Sequence, residues 1–126
     1  MNQTPIDSSV CSTSFYAFVA DLQRFGEAPA ITSYDRRGNR STRSYADLHR
    51  DVFALRRALA AAGLAGRRIA ICGENSYEWL LAFFAITSAG GGAICVDIEQ
   101  ADDIVRRSVS FADAEAVFVS ASMQPI

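Results

Sequence analysis

The chain has 126 residues, half of them hydrophobic and 21% charged, with a formal net charge of −2 and a pI near 5.3. That length holds one domain or a piece of one, and a domain of this size buries about two-thirds of its unfolded surface without a disulfide staple. The mild acidity argues against nucleic-acid binding, and the lack of any lysine excludes Schiff-base chemistry and a lysine-dependent phosphate loop.

Residues 1–12 read as a flexible polar tail with no positive n-region ahead of an apolar run, so no signal peptide is expected and the location should be cytoplasmic. Phe15, Phe18, Val19 and Leu22 recur at helical spacing and predict a short helix ending near Gly26. Ala30 to Tyr34 and Arg40 to Ser44 flank the turn residues Gly38-Asn39, which predicts a β-hairpin. The arginines around that turn, Arg36, Arg37, Arg40 and Arg43, read as a solvated loop rather than a phosphate site.

Ser44 followed by Asp47 is a capping arrangement for a second helix. Its apolar stripe is Tyr45, Leu48, Val52, Leu55, Leu59 and Ala62, and Gly63 closes it. His49 has Arg50 and Asp51 beside it and no neighbouring Ser or Cys to suggest a triad, so it is expected to be a water-facing surface residue.

Ile69 to Cys72 is a short β-branched run that stops at Gly73, as a strand buried on both faces would. Asn75, with Glu78 three residues on, predicts the N-cap of a third helix. Trp79 to Ile86 holds no polar residue, so this helix belongs inside a larger body or a membrane. A membrane span is disfavoured, because Gly90-Gly91-Gly92 interrupts the apolar stretch at about 1 kcal/mol per glycine and no arginine cluster flanks it. Ala93 to Val96 then reads as a second buried strand, completing a βαβ unit.

Asp102 and Asp103 suit the positive end of a fourth helix with Ile104, Val105 and Val109 on its apolar face, and Ala116 to Val119 reads as a last strand. Strands alternating with helices predict an α/β fold: a parallel sheet with helices on both faces, in three layers, preceded by the N-terminal hairpin. No linker divides residues 13–126, which are read as one α/β subdomain. Cys11, Cys72 and Cys95 show no metal-ligand spacing, and the last two are expected to be buried thiols of a reducing compartment. The triple glycine precedes a strand, whereas nucleotide loops follow one, so it reads as a tight turn.

The succession Ser44 to Leu48 (SYADL), a helix ending in AAAGL, RRIAICGENSYEWLLAFFAI, and AGGGAICVD from Ala89 to Asp97 resembles the N-terminal region of the adenylate-forming (AMP-binding) superfamily. The resemblance runs from Ser14 to Ser120, and GENSYEW before an apolar helix is most similar to AMP-forming long-chain fatty acyl-CoA synthetases. One departure is local: where the family has a Val-Pro-Leu-Asp type sequence, Cys95 stands at the proline and Val96 at the leucine, which affects the following loop, residues 98–101.

The resemblance implies an acyl-CoA synthetase-like parent in which a fatty acid and Mg-ATP give an acyl adenylate and pyrophosphate, and CoA then displaces AMP. ATP, Mg2+ and CoA are implied for that parent and not for this segment, because the family's nucleotide-binding blocks lie downstream of the region matched. No catalytic, cofactor-binding or metal residue is therefore assigned here. The segment is expected to be an inactive scaffold whose partner is the remainder of the ligase, with self-association through an exposed sheet edge. No nucleic-acid partner and no transmembrane segment are expected. A free-standing, non-catalytic binding module on the same scaffold is the second reading.

Overall fold

The computed structural model describes residues 14–96, 102–111 and 113–119. The tail at 1–12, Cys11 and the 98–101 loop fall outside them. The Ser14 hydroxyl accepts the Ala17 N–H and opens α1 (Phe15–Asp21), which tightens into a 3-10 turn (Leu22–Phe25) and stops at Gly26, φ 56°. Only Val19 and Leu22 of the first apolar stripe are buried; Phe15 and Phe18 remain largely exposed.

β1 (Pro29–Tyr34) and β2 (Arg40–Ser44) form the antiparallel hairpin. Asp35 fixes its turn, its carboxylate accepting the N–H groups of Arg37 and Asn39 and the side-chain amide of Asn39. α2 (Tyr45–Ala61) begins with the expected capping box: the Ser44 hydroxyl accepts from Asp47 N at 3.0 Å, and the Asp47 carboxylate accepts from Ser44 N at 3.1 Å. Leu48, Val52 and Leu59 of its stripe are buried, Tyr45 and Leu55 half-buried, and Ala62 exposed.

β3 (Arg68–Cys72), β4 (Gly92–Val96) and β5 (Ala116–Val119) form a parallel sheet in the order β4-β3-β5, with Ala70 opposite Ile94 and Val117. α3 (Tyr77–Ser88) links β3 to β4, and α4 (Asp102–Phe111) links β4 to β5 back across β3. The two connections run in opposite directions along the sheet, and right-handed crossovers, the general rule, would put their helices on opposite faces; a parallel sheet flanked by helices is the α/β class the sequence predicts. On one face Ile69 and Ile71 pack with Ala82, Ala85 and Ile86 of α3, and with buried residues of α2 and α1. On the other, Ala70 and Cys72 pack with Ile94, Val96 and Ala114.

α3 lies against the sheet as its apolar sequence requires, and its two terminal hydroxyls are satisfied within the helix. Thr87 donates to the Phe83 carbonyl at 2.7 Å and Ser88 to that of Ala85 at 3.4 Å. Its start differs from expectation: Ser76, not Asn75, is the N-cap, its hydroxyl accepting the Trp79 N–H, so Glu78 sits one position early for a capping box. Cys95 is also corrected, being exposed on β4 while Cys72 is buried. Among the described residues no helix is long and apolar enough to cross a membrane.

α2 and α3 end in the same motif. Gly63 N bonds Ala60 O and Leu64 N bonds Leu59 O; Gly90 N bonds Thr87 O and Gly91 N bonds Ile86 O. At Gly91 the chain also passes under β3, where an added Cβ would lie 2.6 Å from the Arg67 carbonyl oxygen and 3.0 Å from that of Ile86. Gly91→Ala should therefore lower stability by about 1–3 kcal/mol through overpacking. Gly92→Ala, whose Cβ meets only the flexible Arg68 side chain at 3.5 Å, should change it by less than about 0.5 kcal/mol. Urea unfolding of the two variants decides this, equal midpoints counting against the close approach.

Candidate functional site

β3 and β5 end side by side at the point where the chain's crossovers diverge, the place where open α/β sheets offer a crevice. A half-open cleft of about 660 Å³ lies there. Ile71 and Phe118 come from the strands, Leu81 and Ala82 from α3, Leu55 from α2, and Trp79 from the first turn of α3. Glu74, Ser76 and Glu78, from the β3–α3 turn and the start of α3, supply polar groups to it. The cleft can take up apolar surface.

Two of its polar groups are accounted for. The Ser76 hydroxyl is spent on the α3 cap, and burial pushes the Cys72 thiol above its ordinary pKa, so neither is an activated nucleophile. The Gly90 to Gly92 turn offers no phosphate cradle either. All three of its N–H groups are taken by the carbonyls of Thr87, Ile86 and Arg67. Among the described residues no three His, Cys, Asp or Glu side chains converge in a metal-holding group. His49 is half-buried rather than water-facing, its ring 4.5 Å from that of Phe53.

Among the described residues, a strongly perturbed polar pair forms a clasp between helices. Tyr77, 6% exposed, donates its phenolic hydroxyl to Asp51 of α2 at 2.6 Å, while the guanidinium of Arg43 from β2 lies 4.7 Å from the Tyr77 ring centroid. Burial, and then the bond to Asp51, push the Tyr77 phenol well above its ordinary pKa. Burial alone would raise Asp51, but the Tyr77 hydroxyl and the Arg50 guanidinium outweigh it and hold the carboxyl below its usual value. No local pattern in the sequence pairs these two, because 26 residues separate them and the GENSYEW block that holds Tyr77 names no partner for its hydroxyl. A second unforeseen clamp joins β5 to β3: Glu115 accepts from Arg68 N and pairs with Arg67, while Arg68 pairs with Asp113 at 2.9 Å.

A sequence model of the family described as AMP-binding enzyme matches residues 18–125. No curated protein sequence matches the chain. Among solved structures, that of CmiS6 superposes with a TM-score of 0.77 at 20% identity, over 98% of this chain and 30% of that one. The Klebsiella oxytoca NpsA N-terminal subdomain in complex with 3-hydroxybenzoyl-AMSN gives 0.75 at 20% identity, over 90% of this chain and 28% of that one. The inhibitor-bound N-terminal domain of Mycobacterium tuberculosis FACL13 gives 0.70 at 20% identity, over 86% and 27%. At such identity the likeness is one of fold, and the chain spans under a third of each of these structures.

The clasp gives a stability test. Tyr77→Phe should cost about 1–2 kcal/mol, the range for a hydrogen bond to a charged, partly exposed acceptor. Its folded-state shifts set the pH window. Asp51, depressed, contributes above its unfolded pKa of about 3.9 and loses that contribution as pH falls through the lower folded value. Tyr77, raised, contributes fully below its unfolded pKa of about 10 and loses that contribution as pH climbs toward the higher folded value. The gap in urea midpoint between wild type and Tyr77→Phe should be flat near neutrality and shrink at both extremes; a gap unchanged across the acid limb would remove Asp51 as the acceptor.

Proposed function

Since the chain belongs to the AMP-binding enzyme family, we propose that it is the leading portion of a larger adenylate-forming ligase resembling fatty acyl-CoA synthetases. The observation that carries this is the family match across residues 18–125 on a chain that spans under a third of the solved structures it superposes on. The parent joins a fatty acid to CoA. Its carboxylate attacks the α-phosphate of Mg-ATP to give an acyl adenylate and pyrophosphate, and the CoA thiol then displaces AMP. The fatty acyl assignment rests on the resemblance of the Gly73 to Trp79 block and the apolar helix after it to those synthetases. A cytoplasmic location goes with it.

The part of this segment in that enzyme is architectural. It supplies β3, β4 and β5 to the sheet and holds α3 against them, and Ser44, Ser76, Asp51 and Tyr77 are engaged in helix caps and in the clasp between α2 and α3. The cleft at β3 and β5 is, in this reading, a seat for the remainder of the ligase rather than a reaction chamber.

Two measurements check the proposal. The isolated chain should show no ATP–pyrophosphate exchange with any fatty acid, and exchange above a buffer blank would overturn its scaffold role. The coding sequence beyond Ile126 should continue in frame into a glycine-rich, lysine-bearing loop, and an immediate stop would favour the free-standing module instead.

The isolated chain should also self-associate. β5 is apolar on both faces, Val117 and Val119 are each 40% exposed, and no strand among the described residues pairs with its outer edge. Size-exclusion chromatography with light scattering should find mass growing with concentration, a monomer throughout counting against it.

A further inference from the structure

The hairpin carries a charge opposite to that of the rest of the chain. Residues 29–44 hold Arg36, Arg37, Arg40 and Arg43 against Asp35 alone, a net +3, whereas the whole chain is −2, which leaves −5 on everything else. Two of these five charged groups are already engaged. Arg43 covers the Tyr77 ring, and Asp35 holds the turn through three hydrogen bonds at 2.8 to 2.9 Å. Arg36, Arg37 and Arg40 are exposed and have no ion pair among the described residues.

The register sorts the hairpin into two faces. Ile31 lies opposite Arg43 on the inward side, where Ile31 packs against the core. Thr32 opposite Thr42 and Tyr34 opposite Arg40 alternate with that pair and face outward, and Tyr34 is 68% exposed. An outward aromatic ring beside unpaired guanidinium groups matches the side chains that protein interfaces favour. The turn beneath them is fastened by Asp35, which limits the ordering cost on binding.

We infer that the outward face of the hairpin is a docking surface for a carboxylate-rich segment of a partner protein, with Arg36, Arg37 and Arg40 pairing with its carboxylates around Tyr34. Charge complementarity favours this over the other anionic class. A nucleic acid carries a phosphate charge about every 1.7 Å of duplex, so a patch of three arginines neutralises only a short stretch of it, and the chain as a whole is net negative. A short acidic segment brings its charge to the hairpin alone.

The test uses the full 126-residue chain and three fluorescent probes: a short acidic helical peptide, its glutamine counterpart and a single-stranded DNA of similar length. Anisotropy titrations at low salt should show binding of the acidic peptide only, weakening as salt rises. Reversal of the patch in Arg36→Glu/Arg37→Glu/Arg40→Glu should reduce affinity at least about tenfold, equivalent to about 1.4 kcal/mol. The milder Arg36→Gln/Arg37→Gln/Arg40→Gln and Tyr34→Ala should each reduce it several-fold. Arg57→Glu/Arg106→Glu, at exposed arginines outside the hairpin, should leave it within about twofold. The inference fails if the acidic peptide does not bind, if the hairpin variants bind as wild type does, or if the Arg57/Arg106 variant loses as much. It also fails if the DNA binds more tightly than the peptide.

Discussion

β3 is buried along both of its faces, and the rest of the structure depends on that condition. Ile69, Ala70, Ile71 and Cys72 are each at most 3% exposed, so apolar surface must be supplied on two sides of one ribbon. A parallel ladder with β4 and β5 satisfies its backbone, and a crossover helix must then join each pair. This explains why α3 is apolar nearly all round: one side of it meets the sheet while another meets α1 and α2. It also explains Gly91. To bring the end of α3 back beside β3, the chain must pass within contact distance of the Arg67 carbonyl, where a side chain has no room.

The same closeness governs the polar groups. Hydroxyls, turn amides and carboxylates in and around this core are matched to partners within the chain: Ser44 with Asp47, Ser76 with Trp79, Asp51 with Tyr77, and the three glycine amides with carbonyls. A buried polar group left unpaired costs about 1–3 kcal/mol, so such pairing is what stability demands. The strand and helix side of the cleft, Ile71, Phe118, Leu81 and Ala82, is apolar for the same reason the core is, while Glu74, Ser76 and Glu78 line it from the β3–α3 turn and the start of α3.

Local signals carried the sequence reading wherever a feature is set by near neighbours. The capping box at Ser44, the hairpin around Gly38, the stop at Gly63 and the strand Ala116–Val119 all stand where the sequence places them. At α3 two residues able to cap stood side by side, and the apparent box from Asn75 to Glu78 outweighed Ser76; backbone geometry at Ser76, φ −157° and ψ 170°, decides it. Burial was less legible. Cys95 alternates correctly along its strand, but its face at that end of β4 is uncovered, which no pattern within the strand records. The clasp from Asp51 to Tyr77 and the clamp from Arg68 to Asp113 join residues 26 and 45 apart, so only the fold brings them together.

The molecule is left with two exposed surfaces of opposite chemistry. At the carboxyl ends of β3 and β5 the surface is mainly apolar, with Glu74, Ser76 and Glu78 beside it, so a group that covers it gains chiefly by excluding water. On the hairpin the surface is charged, hydrated and fastened from beneath by Asp35, so a partner gains little from burial and much from matching charge. A contact of the first kind is lasting, since separating it returns apolar surface to water. The second is weakened by salt and reversible, which fits a partner that comes and goes without disturbing the sheet behind it.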